Sequence, residues 1–172
     1  MSHKYVNGQL FYSLDGLLIV NDFWLNEDGT MALHGDKPKP IDHMDCRNNK
    51  GKRQYANLHI IYLGKDYHYP IHRLVCQLHQ TVPANFSEYD VHHIDGNEHN
   101  NHPSNLIVLK PNIHKAWHKI KRAYPDYKWE DFIQLSDDDK MTALHKEFIN
   151  RQSKVCMKLI KPSKLDIMMM FG

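Results

Sequence analysis

The chain lacks any apolar run approaching the roughly 20 residues that a helix needs to cross a bilayer. The stretch Leu17-Leu18-Ile19-Val20 is short, lies between Asp15 and Asp22, and follows neither a basic segment nor a small-residue cleavage signature. The expectation is a cytoplasmic protein without a membrane span. Cysteine is scarce: Cys46, Cys76 and Cys156 stand far apart in 172 residues, which excludes a disulfide framework and a paired-cysteine zinc ribbon. No internal repeat is visible. An excess of one charge is missing too, since 22 basic against 20 acidic residues leave a formal charge of +2, so bulk charge does not point to a nucleic acid. With 41% hydrophobic and 24% charged residues the composition is that of an ordinary globular chain, neither disordered nor fibrous. The length suits one domain, or one compact core with an appended arm.

What the sequence does have is histidine. Fourteen are present, and six of them (His92, His93, His99, His102, His114, His118) fall between positions 92 and 118, where an even spread would place about two. Such clustering asks for a chemical reason, metal ligation or proton transfer; the plainer reading is a histidine-rich surface loop. Basic residues are also grouped, as Arg47, Lys50, Lys52 and Arg53; as Lys110, Lys115, Lys119, Lys121 and Arg122; and as Arg151, Lys154, Lys158, Lys161 and Lys164. Any one group alone reads as solvated surface. Their separation from Asp137-Asp138-Asp139 is what suits a phosphate-facing side.

Three regions follow from the pattern. Residues 1–69 read as strands and turns. Asn26-Glu27-Asp28-Gly29-Thr30 carries hairpin-turn chemistry, Gly35 to Arg53 reads as a long polar loop, and Tyr55, Leu58, Ile60 and Tyr62 mark a strand that turns through Gly64-Lys65-Asp66 into Tyr67-His68-Tyr69. Pro70 admits a helix carrying Leu74, Val75 and Leu78 and lasting to Gln80. In the middle region, Val91-His92-His93-Ile94 is strand-like, Asp95-Gly96-Asn97 a turn, the stretch to Ser104 a loop, and Leu106 to Leu109 a returning strand. Pro111 then opens a helix with Ile113, Ala116, Trp117 and Ile120 on one period. Residues 123–172 read as a helical arm: Ser136 and the three aspartates form an N-cap and acidic first turn, and Met141, Leu144 and Phe148 an apolar stripe. The ending Met168-Met169-Met170-Phe171 is apolar.

Two spacings carry chemistry. His114 and His118 are four apart, so they share one helix face, as two ligands of one ion require. His92 and His93 are neighbours in a strand, so their side chains diverge and have different jobs.

The residues His92-His93-Ile94-Asp95-Gly96-Asn97, Asn100-Asn101, Ser104-Asn105-Leu106, His114 and His118 resemble the HNH motif of phage and intron-encoded homing endonucleases. The motif letters fall on His93, Asn105 and His114. Ile71-His72-Arg73-Leu74-Val75 resembles the short helix ahead of that motif, and the Asn26 to Thr30 hairpin its N-terminal strand region. The resemblance implies an α+β fold made of an N-terminal β-rich region (1–69), a ββα-metal nuclease core with its preceding helix (70–122) and a C-terminal helical arm (123–172).

It further implies a metal-dependent DNA endonuclease of the homing or nicking kind. In that family His92 is a metal ligand, His93 the general base, and His114 with His118 the remaining ligands. Asn105 clamps the loop and orients the backbone near His93. Asp95-Gly96-Asn97 reads as turn chemistry rather than catalysis, and His99 and His102 as exposed loop residues. His118 has packing beside Trp117 as its alternative. Arg73 is a candidate DNA contact or a structural support, and Lys115, Lys119 and Arg122 are candidate DNA contacts.

Imidazole ligands favour zinc, yet open coordination positions and cellular abundance make magnesium or manganese the expected ion for turnover, with zinc able to bind. The expected partner is double-stranded DNA, the state monomeric and the setting a phage-infected host cell. Two alternatives stay open: a general HNH nuclease of restriction or toxin type, and a zinc-organised DNA-binding module without catalysis, which metal removal would unfold.

Overall fold

The structure, a computed structural model, describes residues 2–35, 37–41 and 55–142. The described residues form two compact units, one drawn from 2–86 and 91–108, the other from 87–90 and 109–142. Among the described residues no helix is long and apolar enough to cross a membrane.

The first unit opens with an antiparallel meander, β1 (His3–Val6), β2 (Gln9–Ser13), β3 (Phe23–Asn26), β4 (Met31–His34) and β5 (Lys37–Pro40), each paired with its sequence neighbour. Phe11, Leu25 and Leu33 alternate with more exposed neighbours and are fully buried, the period-two pattern of a sheet with one apolar face. The β3–β4 turn is held by side chains. Asn26 Nδ2 donates to Asp28 Oδ1 (2.7 Å) and Thr30 Oγ1 (2.9 Å), and Asn26 Oδ1 accepts from the Met31 amide (2.8 Å). Gly29 is required there twice over. Its φ is +70°, and a Cβ on it would lie 2.4 Å from Ile71 Cγ2, so the turn rests directly on the helix that follows the next hairpin.

That hairpin pairs β6 (Asn57–Tyr62) with β7 (Lys65–Pro70) in antiparallel register. Leu63 and Gly64 both take positive φ, +49° and +72°, as a two-residue turn matched to strand twist demands. α1 (Ile71–His79) begins immediately after Pro70, with the Ile71 amide donating to Ala56 O at 2.9 Å. It buries Ile71, His72, Leu74, Val75, Cys76 and Leu78. A single 3-10 turn at Phe86–Glu88 precedes β8 (Asp90–His93), and another at Pro103–Asn105 precedes β9 (Leu106–Leu109); β8 and β9 form a two-stranded sheet.

In the second unit α2 (Pro111–Ala123) buries Ile113, Ala116, Trp117 and Ile120, and α3 (Trp129–Ile133) buries Trp129 and Phe132. The Trp117 and Trp129 rings meet edge to face at 5.2 Å, with Phe132 5.3 Å from Trp117, a favourable aromatic arrangement. Ser136 caps the helical residues 137–142: its Oγ accepts from the Asp139 amide at 3.1 Å and donates to Asp139 Oδ2 at 2.6 Å.

One place differs from the sequence expectation. Residues 37–40 are a strand rather than loop; Pro38 and Pro40 are tolerated because β5 is the sheet's edge, where missing amides face no partner. Leu17 to Val20 lie in turns and bends despite their apolar character, with Gly16 and Asp22 at positive φ on either side. α3 lies within the stretch read as helical. The basic residues Arg47 to Arg53 and Arg151 to Lys164, Leu144 and Phe148 of the apolar stripe, and Met168 to Phe171 lie outside the described residues.

Candidate active site

In the first unit, β8 carries His92 and His93 into the interior, where they are 5% and 4% exposed. His93 Nε2 lies 3.0 Å from Asn101 Oδ1, and Asn101 is 2% exposed. An amide oxygen only accepts, so Nε2 is the donor of this pair, and in the neutral ring the lone pair is then on Nδ1. The Tyr55 ring lies nearly parallel to His93 at 5.9 Å, and His72 of α1 comes within 5.6 Å of it. Burial pushes the His72 imidazole down to about 3, with His93 and then Arg73 opposing a further positive charge. His72 is therefore a neutral neighbour at physiological pH.

The loop that presents Asn101 is fastened by Asn105. Its Oδ1 accepts from the Asp95 amide (3.0 Å), and its Nδ2 donates to Asp95 Oδ1 (2.9 Å) and Asn100 O (2.8 Å). The backbone oxygen of Asn105 accepts from Ile94 N at 2.8 Å, so one asparagine ties both sides of the loop to its base. For Asp95, burial works against the charged form. Hydrogen bonds from Asn100, the Asn97 amide and Asn105, together with His93, outweigh it and hold the carboxyl below its usual range. Asp95-Gly96-Asn97 is thus a turn whose carboxylate organises the loop. His99 and His102 are exposed, and His102 Nδ1 pairs with Ser104 Oγ at 2.8 Å.

In the second unit, one face of α2 presents His114 and His118, with their Nε2 atoms 2.9 Å apart. His114 Nδ1 donates to Asp90 Oδ2 at 2.9 Å, which leaves the His114 Nε2 lone pair on the side of His118. A carboxylate on the far nitrogen is the usual support of a metal-binding imidazole, because it fixes the tautomer and raises basicity. The donor set on this face fits a divalent ion. Lys115 and Arg122 on the same helix are exposed and Lys119 is half-buried, while Arg122 Nε donates to His118 O at 3.0 Å. In the first unit Arg73 is engaged otherwise. Its guanidinium donates to Phe86 O at 2.6 Å and lies 4.1 Å over the Phe86 ring.

Residues 69–116 match the family model of the HNH endonucleases. The likeness to the HNH endonucleases lies in this segment. The HNH segment spans α1, β8, β9 and the first half of α2, and so contains His72, His93, Asn101, Asn105, Asp90 and His114. Among solved structures, the chain is similar to the HNH homing endonuclease I-HmuI, in a structure concerned with DNA binding and cleavage by that protein. The identity is 18% and the TM-score 0.45, with 78% of this chain and 65% of that one covered. The chain therefore spans just under two thirds of that protein's length. Comparison with curated proteins finds no match.

Two contributors were not singled out by sequence reasoning. Asn101 stood in the motif beside Asn100, and nothing in their spacing distinguishes the one that loops back to His93. Asp90 stood one residue ahead of the strand-like segment, and its partner His114 is 24 positions away.

Proposed function

We propose that the chain is a divalent-metal-dependent DNA endonuclease of the phage homing or nicking kind, hydrolysing phosphodiester bonds in double-stranded DNA. The observation that carries this reading is the buried His93 imidazole within the HNH segment, its Nε2–H held by Asn101 and its Nδ1 left as a base. Hydrolysis needs a group that takes a proton from the attacking water, and a fixed neutral imidazole does this near neutral pH. His93 removes that proton through Nδ1. Asn101 holds the tautomer, and Asn105 holds the loop from which Asn101 projects. His72, kept neutral by burial, adds no charge that would oppose proton uptake on its neighbour.

On this reading His92, His114 and His118 hold one ion, magnesium or manganese in turnover, with zinc a tighter-binding substitute. The bound ion supplies Lewis-acid neutralisation of charge developing on the phosphate. Asp90 supports it by orienting His114. Lys115, Lys119 and Arg122 contact the DNA backbone and Arg73 braces the site from α1. Regions 1–69 and 123–172 flank the nuclease core 70–122, and the monomer works in the cytoplasm of a phage-infected host.

The test is single-turnover cleavage of plasmid DNA by the full chain with manganese or magnesium. His93→Ala should keep metal and DNA binding and lose about 10²–10⁴-fold in rate. A variant that cleaves at the wild-type rate would remove His93 from the chemistry, and a wild-type chain that cuts no DNA with either ion would remove the reading itself.

A further inference from the structure

Outside the HNH segment, the β6–β7 hairpin brings together three more metal-competent side chains. His59 and His68 are directly paired across the two strands, and Asp66 lies two residues before His68. Strand periodicity therefore puts all three on one face. They stand in solvent, with side chains 48%, 59% and 58% exposed for His59, His68 and Asp66. The two imidazoles stack at 4.7 Å with an interplanar angle of 10°. Both turn Nε2 to the same carboxylate: His59 Nε2 contacts Asp66 Oδ1, and His68 Nε2 lies 3.5 Å from Asp66 Oδ2. One ligand atom from each residue lies within 4.8 Å of the others.

We propose that His59, Asp66 and His68 form a second metal site, selective for a zinc-class transition cation and separate from the ion of the proposed nuclease site. The donor set, two imidazoles and one carboxylate, matches common zinc sites with water completing the tetrahedron. Ligands about 2.0–2.1 Å from a tetrahedral zinc stand about 3.3–3.4 Å from one another, close to the separation of His68 Nε2 and Asp66 Oδ2. Imidazole nitrogen selects zinc, copper or nickel over magnesium and calcium.

The site has a structural consequence. An isolated two-stranded ribbon is marginal in water, and a cation joining His59 to His68 clips this one across its register. β7 leads through Pro70 directly into α1, the helix that holds His72, and Tyr69 at its end accepts a hydrogen bond from Ile19 N at 3.0 Å. Clipping the ribbon would steady the strand that enters the nuclease segment. The proposal does not depend on the nuclease reading, because none of its ligands belongs to that site.

The test is the number of zinc equivalents retained by the full chain after equilibrium dialysis at micromolar free zinc, read by atomic absorption. His59→Ala/His68→Ala should retain one equivalent fewer than wild type, and Asp66→Asn should hold that equivalent more weakly. The same decrement should appear in a His92→Ala background, which separates this site from the proposed catalytic one. Far-ultraviolet dichroism of the metal-free proteins should be unchanged, since the three side chains are exposed. Control replacement of His3 and His34, exposed histidines elsewhere in the meander, should leave the count alone. An unchanged count in the double variant, or an equal loss in the control, overturns the proposal.

Discussion

His93 and Asn101 are buried partners: the imidazole Nε2 lies 3.0 Å from the amide oxygen, eight residues along the chain. The contact selects which nitrogen of His93 carries the proton. Asn101→Ala removes the acceptor and leaves a buried N–H without a partner, which costs about 1–3 kcal/mol and frees the other tautomer. The expected result is at least about a tenfold fall in single-turnover cleavage with metal binding retained. Nitrogen NMR of the ring should show a mixture of tautomers where the wild type shows the Nε2–H form. A single Nε2–H form at wild-type rate would free Asn101 of this role.

The Asp90–His114 pair predicts an effect on metal affinity exerted through a residue that does not itself bind the ion. Asp90→Asn removes the charged acceptor from His114 Nδ1–H, and metal affinity by calorimetry should fall roughly 10–100-fold. His114→Ala should weaken metal binding and cleavage further, with added manganese restoring part of the rate. His118→Ala should do less. Equal indifference to all three changes would take this face of α2 out of the metal site.

His72 makes a pH prediction with a definite sign. Its imidazole titrates near 6.5 when unfolded and at about 3 in the fold, so between these values the unfolded chain binds a proton that the folded chain does not. Stability from this residue is complete above about 6.5 and is lost as pH falls toward 3, at about 1.4 kcal/mol per pH unit. Urea denaturation of wild type and His72→Gln between pH 6.5 and 4.5 measures the difference in slope. Parallel curves would contradict it. His79, also lowered by burial, acts in the same direction and cancels in the comparison.

Gly29→Ala should destabilise the first unit through two independent costs. A side chain at φ +70° is strained by about 1–2 kcal/mol, and the new Cβ would press on Ile71 Cγ2 at 2.4 Å, adding about 1–3 kcal/mol of overpacking. A drop of about 2–5 kcal/mol in urea stability, with an unchanged m-value, is the expected result. Gly8→Ala, at φ +77° with nothing within 4 Å of its Cβ, should show the backbone cost alone.

Much of this was readable along the chain because it depends on neighbours. Turn chemistry at Asn26 to Thr30, the proline before α1, the 3.6-residue period of α2 and the i, i+4 spacing of His114 and His118 are local facts, and each element formed where those facts placed it. β5 was obscured because proline argues against strands, and only its edge position, a property of the whole sheet, makes Pro38 and Pro40 acceptable. Leu17 to Val20 are apolar, but residues at positive φ on either side, Gly16 and Asp22, bend the chain there.

The sequence by itself determined the ingredients: a histidine cluster with two imidazoles on one helix face, two neighbouring strand histidines and an asparagine-rich loop after them. Only tertiary structure decided which partner each ring would have. Asn101 rather than Asn100 reaches His93, Asp90 reaches His114, and Asp66 stands before both His59 and His68. Such choices depend on how a loop closes, how a strand end meets a helix and which register a hairpin takes. Each is set by side-chain packing and backbone hydrogen bonding between segments distant in sequence, which residue spacing within one segment cannot encode.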